Sequence, residues 1–240
     1  MTLYHYLPLF LILLVIIIIS VKTEKLTLFA AITGGLIAIL IFIGAGYTGL
    51  TMLAVFFIFG TLATSWKKGE KLRAKSVKDR SIKRNSVQVM ANGGVAAIMG
   101  TLVYFIPEKA ELFRLMMAAS LASAMADTLS SELGMIYGRR FYNIITLKKE
   151  EKGLDGVISF EGTLIGIIGS AIIALIYGVG FEWDIRILFI IIAGTIGNLF
   201  DSVLGALLER KHYLNNDAVN FLNTLIAALI AGLCLNFVFY

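Results

Sequence analysis

Eight stretches of this chain each run to about 20 residues of mostly Leu, Ile, Val, Phe, Ala and Gly: roughly 3–20, 26–44, 48–66, 87–106, 112–137, 159–178, 185–208 and 218–240. A helix needs about 20 apolar residues to cross about 30 Å of hydrocarbon. Inside lipid a single segment satisfies its own backbone only as a helix. The pattern therefore predicts an all-α fold, a polytopic transmembrane helix bundle of about eight spans. Composition agrees: apolar residues make up 58% of the chain and charged residues 15%, against about 45–50% and about 25% in a soluble domain. The first stretch has no basic segment before it and no A-x-A site after it, so it reads as a true span and not as a signal peptide. Cys234 is the single cysteine and lies in an apolar run. It excludes an internal disulfide and reads as an inert core thiol.

Charge sets the expected orientation. Between Trp66 and Gln88 stand Lys67, Lys68, Lys71, Arg73, Lys75, Lys78, Arg80, Lys83 and Arg84, nine of the 21 basic residues, against Glu70 and Asp79. The positive-inside rule puts this loop in the cytoplasm of a cell membrane. Counting spans outward puts Lys22–Lys25, Arg139–Asp155 and Glu209–Asn216 on the same side and both termini outside. The opposite connections, Ala45–Tyr47, Pro107–Glu111 and Val179–Asp184, hold Lys109 as their only base. A net charge of +5 is thus explained by topology, with no need for nucleic acid as a partner. One membrane domain is expected: N-terminal spans over 1–66, a basic loop over 67–86, and spans over 87–240 that carry the polar residues. The first three spans are bland and read as scaffold facing lipid.

Polar residues inside apolar spans are costly, and a carboxylate kept there usually has a partner, a metal or a function. Four clusters qualify. In the fifth span, Ser120, Ser123, Asp127 and Ser131 follow steps of three and four and share a helix face, with alanines on the adjacent ridge. Glu132 lies about 140° around the helix from Asp127, so the two carboxylates share no face unless the helix breaks near Ser130. A small-residue packing seam with an acid reaching its end is the plainer reading of this span. In the seventh span, Gly194, Asn198, Asp201 and Gly205 repeat the device, and Asp127-Thr128-x-x-Ser131 resembles Asp201-Ser202-x-x-Gly205. The eighth span opens with Asp217, Asn220 and Thr224 on one face and Asn223 near it. Asp217 sits where a helix cap belongs, but capping leaves Asn216, Asn220 and Asn223 unexplained, since each amide costs free energy in lipid unless bonded. The fourth span begins with Asn85, Gln88 and Asn92 on one face, beside Gly93 and Gly94.

All four clusters fall at the basic-loop ends of their helices and can converge on one cleft there. The segment Gly153-Leu154-Asp155-Gly156, leading into Ser159, Glu161 and Thr163, adds a glycine-rich turn before a helix N-terminus, able to offer N–H groups to an anion. A plain turn is the alternative, and no P-loop motif occurs. Carboxylates and amides beside a basic patch suit Mg²⁺ and phosphate, because Mg²⁺ is usually held by one or two carboxylates plus phosphates and waters. His5 and His212 are far apart, so a His–His metal site is not expected, and His212 reads as a loop residue.

The strings Q-V-M-A-N-G-G, A-S-A-M-A-D-T-L-S-S-E-L-G, G-L-D-G-V-I-S-F-E-G-T, G-N-L-F-D-S-V-L-G-A and N-N-D-A-V-N-F-L-N-T resemble an integral membrane family that includes plant phytyl-phosphate kinase. Five motifs in order, over nearly the whole chain, carry the resemblance. It implies phosphorylation of an isoprenoid monophosphate to the diphosphate, with CTP or another nucleoside triphosphate as donor. Phosphoryl transfer asks mainly for positioning and charge neutralisation. Asp127 and Asp201 are then expected to hold Mg²⁺, with Glu132 or Asp217 assisting. Lys83 and Arg84 would neutralise nucleotide phosphates, unless they serve topology and lipid headgroups alone. Gln88, Asn92, Ser123, Asn198, Asn216 and Asn220 would supply hydrogen bonds, and Asp155 with Gly153 and Gly156 a phosphate-facing loop. The isoprenoid tail would lie among the helices and membrane lipid. Two other classes stay open: an ion- or proton-coupled transporter and a lipid-phosphate cytidylyltransferase.

Overall fold

The computed structural model describes residues 7–74 and 83–239. His5 and, in the basic loop, Lys75, Lys78, Asp79 and Arg80 lie outside the described residues. The apolar stretches form α1 (Leu7–Lys22), α2 (Leu28–Ser65), α4 (Ser86–Phe105), α5 (Ala110–Tyr137), α6 (Phe160–Gly180), α7 (Arg186–Leu204) and α8 (Asn216–Phe239), and a short α3 (Lys68–Ala74) follows α2. Six of these helices are long and apolar enough to cross a membrane. The 38 residues of α2 would measure about 57 Å as a straight rod. Yet Lys25 Nζ, just before its start, donates to Ser65 Oγ at its end at 2.9 Å. The chain reverses at Gly46, whose φ of 57° and ψ of −146° break the helix at a cost that glycine alone avoids. The two arms of α2 are the second and third expected spans, and with the shorter apolar α1 the apolar helical arms among the described residues number eight.

Side-chain contacts show which ends lie together. At the basic-loop face, Trp66 Nε1 donates to Tyr137 Oη at 3.0 Å, and Arg210 Nη2 meets Glu150 Oε2 at 2.6 Å. At the opposite face, Arg114 Nε donates to the Gly44 carbonyl at 2.9 Å, and Arg186 pairs with Glu111 at 2.7 Å. Arg114 and Arg186 therefore join Lys109 at that face, which is more basic than its short connections suggested.

Helix α5 is the hub. It packs against α2, α4, α6, α7 and α8, and every residue from Met117 to Ala126 is buried. Small side chains make this possible: with lipid outside, helix association depends on close packing, which Ala, Ser and Gly allow. The expectation of lipid-facing scaffold holds for α1, where Leu14 and Ile19 are more than half exposed. For α2 it holds on one side only: Phe29 and Leu62 are more than half exposed, while Ile41 and Met52 are fully buried in the core. Between α5 and α6 the chain adds a small antiparallel ribbon, β1 (Phe141–Asn143) paired with β2 (Val157–Ser159).

Candidate functional site

A cavity of about 330 Å³ opens at the basic-loop face, walled by α4, α5, α6, α7, α8 and the ribbon. Its walls carry polar residues from each of the four clusters, and Asp127 and Asp201 both line it. Helices α5 and α7 both run towards this face, so the two D-[ST]-x-x-small segments stand side by side, and their carboxyl groups face the same cavity close enough to interact electrostatically. Two carboxylates so placed repel unless a proton or cation lies between them. Asp201 Oδ1 also accepts from Asn223 Nδ2 at 2.7 Å, and Asp127 Oδ1 from Ser131 Oγ at 3.2 Å.

Helix α5 continues unbroken to Tyr137, so Glu132 does turn away from Asp127. It reaches the same cavity from another side, where Lys71 Nζ meets Glu132 Oε2 at 2.6 Å. Lys71 is 7% exposed and also donates to the Ala63 and Thr64 carbonyls at 2.8 and 2.9 Å, satisfying the end of α2. Glu132 is thus held in an ion pair with Lys71 at the cavity wall.

Lys83 and Arg84 part ways. The backbone of Arg84 bridges to Leu26, and in extended chain successive side chains point to opposite sides. Lys83 points away and pairs with Glu24 at 2.9 Å; it does not line the cavity. Arg84 points in, beside Gly60, where a Cβ would stand 3.3 Å from Arg84 Nη2. Burial lowers the proton affinity of this guanidinium and the Glu132 charge opposes that shift.

The amides form a wall of their own. Gln88, Asn92, Asn198, Asn216 and Asn220 all line the cavity. Gln88 Oε1 is spent on the capping box with Asn85, at 3.1 Å, as that motif predicts. Asn92 Nδ2 donates to the Gln88 carbonyl, and Asn198 Oδ1 accepts from Ser130 Oγ at 3.0 Å. Asn220 Oδ1 is buried without a hydrogen-bond partner among the described residues. Asp217 does not line the cavity, and the cap of α8 is Asn215, whose Oδ1 accepts from Ala218 N at 2.8 Å. Ser123 is fully buried and bonds Asn223 instead of facing the cavity.

The loop Gly153–Gly156 does line it. Gly153 and Gly156 have φ of 87° and 73°, which non-glycine residues rarely adopt. A Cβ on Gly156 would also strike Ala206, at 2.4 Å. Arg210 clamps this loop, donating to the Asp155 carbonyl and to Glu150. The hydrogen bond from Arg210 holds the Glu150 carboxyl below the usual carboxylate range, so the clamp persists at neutral pH and weakens as pH falls through that lowered value. His212, at φ 61°, lies in the α7–α8 turn, as expected of a loop residue. Sequence reasoning missed Lys71, Lys68 and Glu209 as cavity residues and Asn223 as the partner of Asp201; for the two lysines, nothing marks them among their basic neighbours.

Among the described residues no group of three or more His, Cys, Asp or Glu is placed to hold a metal by itself. Asp127 and Asp201 offer two ligands, a set that suits Mg²⁺ sharing its shell with phosphates and water.

The chain is 38% identical over 192 residues to an uncharacterized membrane protein of Methanocaldococcus jannaschii, covering 78% of this chain and 76% of that one. It is 33% identical over 198 residues to an uncharacterized membrane protein of Synechocystis, covering 81% and 77%. With the chloroplastic protein VTE6 of Arabidopsis thaliana it shares 30% identity over 200 residues, 80% of this chain and 60% of that one. No solved structure matches it. The model of one family, described as integral membrane protein DUF92, matches residues 11–228, and the chain belongs to that family of integral membrane proteins.

Proposed function

We propose that this protein is a membrane-embedded kinase that converts an isoprenoid monophosphate to the diphosphate, using CTP or another nucleoside triphosphate with Mg²⁺ at the cytoplasmic surface. The observation that carries the reading is the cavity's charge. Asp127, Glu132, Asp155, Asp201 and Glu209 line it beside Lys68, Lys71 and Arg84. Five carboxylates against three bases repel a triphosphate unless a divalent cation comes with it. Phosphoryl transfer needs that combination: metal and guanidinium to neutralise charge, and amides to position the reactants. The acceptor is the substrate's own phosphate oxygen, already anionic, so no strong base is required. The motif resemblance to the plant phytyl-phosphate kinase family supports the same chemistry.

Asp127 and Asp201 would hold Mg²⁺, Arg84 the donor phosphates, and the Gly153–Gly156 loop one phosphate edge. The test is purified protein in detergent with Mg²⁺, labelled nucleotide and geranylgeranyl phosphate. Nucleoside diphosphate and prenyl diphosphate are expected. Release of pyrophosphate would make it a cytidylyltransferase, and no product from any nucleotide would favour the transporter.

A further inference from the structure

Asp201 is held from behind by residues that the cavity does not reach. Asn223, on α8, is fully buried, and its Nδ2 donates to Asp201 Oδ1 at 2.7 Å. Its Oδ1 accepts from Ser123 Oγ of α5 at 3.1 Å, and the same hydroxyl lies 3.4 Å from the Asn223 carbonyl oxygen. Three helices meet here because α7 presents Gly197: a Cβ there would stand 2.3 Å from Ser123 Oγ and 2.9 Å from the Asn223 carbonyl.

The contacts run in one direction. An amide oxygen only accepts and an amide nitrogen only donates. The ionised Asp201 carboxylate only accepts and so takes the amide nitrogen, which leaves the amide oxygen to the Ser123 hydroxyl and holds the carboxylate from a buried, anchored donor. Asp127 accepts from Ser131, which is exposed and sits one turn along the same helix. Outer partners of this kind orient metal ligands, and losing one typically costs 10–100-fold in metal affinity.

We propose that Ser123 and Asn223 are a positioning pair that fixes Asp201 as the rigid ligand of a divalent-cation site shared with Asp127. The inference rests on the proposed function for the cation itself. Full-length protein in detergent is titrated with Mn²⁺, the free ion being measured by electron paramagnetic resonance. The parent is expected to bind the ion. Asn223→Ala should weaken it about 10–100-fold, and Ser123→Ala less. Because Ser123 acts through Asn223, the double variant should bind no more weakly than Asn223→Ala alone, a coupling that general loosening of the bundle would not produce. Asn223→Ala binding Mn²⁺ like the parent overturns the pair, as do losses that multiply in the double variant. If Asn223→Ala does not fold, Ser123→Ala carries the test, and unchanged affinity there overturns it. A parent that binds no Mn²⁺ overturns it as well. Turnover is read separately: Mn²⁺ binding that depends on this pair, without prenyl diphosphate formation, sinks the kinase and leaves the pair standing.

Discussion

Under the proposed function, replacing Asp127 or Asp201 should separate chemistry from folding. Each faces the cavity, so an amide in place of either carboxylate keeps the shape and removes the charge. Asp127→Asn or Asp201→Asn should lower kcat and kcat/KM together, by about 100-fold or more if the cation stabilises the transition state as preorganised charges usually do. Elution and thermal unfolding in detergent should stay near the parent's. Near-normal turnover in either variant would remove that carboxylate from the metal. Glu132 predicts the reverse, a stability defect. Its change to Leu leaves Lys71, 7% exposed, buried without its anion, at a cost of about 3–5 kcal/mol. Adding Lys71→Met should recover part of that loss, because it removes the stranded charge while giving up the bonds from Lys71 to the Ala63 and Thr64 carbonyls. Thermal unfolding of the two variants decides it; a double variant no more stable than Glu132→Leu would mean the pair has another task.

At the scale of helices, glycine decides which elements touch. A Cβ on Gly100 would lie 2.4 Å from the Leu40 carbonyl oxygen, and one on Gly44 2.6 Å from the Gly100 Cα. The first arm of α2 and α4 therefore meet backbone to backbone, and no rotamer relieves an added methyl. Gly100→Ala should lower the unfolding temperature markedly. Gly69→Ala, in α3 where nothing lies within 4 Å of the added carbon, should be neutral or stabilising by about 0.4–1 kcal/mol. Equal effects in both would mean that contact with α2 does not matter. The helices themselves were legible in the chain because lipid leaves a backbone few choices, and Asp127, Asn198 and Asp201 stood out as polar groups in apolar runs. Their convergence was legible too, since each lies at the same end of its helix. What the pattern lacks is azimuth. Ser123 and Asp127 share a face four residues apart, yet one meets α8 and the other the cavity, because the three-helix contact at Gly197 closes above it. Lys83 and Arg84 are adjacent and alike in charge, and only the backbone bridge at Leu26 sends one out and the other in. Lys71 is one lysine among many until α3 turns it under the end of α2.

For the whole molecule, the placement of charge makes a claim about sidedness that labelling can answer. The ribbon loop at the site's face carries Arg139, Arg140, Lys148, Lys149 and Lys152, and Arg84 lines the cavity there. The opposite face holds Lys109, Arg114 and Arg186, but Arg186 is countered by Glu111, Glu182 and Asp184 within 3.3 Å. The surplus of bases therefore stays with the site, and by the positive-inside rule we propose that this face is the cytoplasmic one. A soluble nucleotide made in the cell would then meet the cavity without crossing the bilayer. In a Cys234→Ala background, Lys152→Cys and Lys109→Cys place one thiol on each exposed face. An impermeant maleimide on intact cells should label the Lys109 position at once and the Lys152 position only after permeabilisation. Labelling of both from one side would break the alternation of eight crossings. The reverse assignment would keep the fold but put the cavity outside, beyond the reach of cytoplasmic triphosphate, and a kinase drawing on that pool would no longer be tenable.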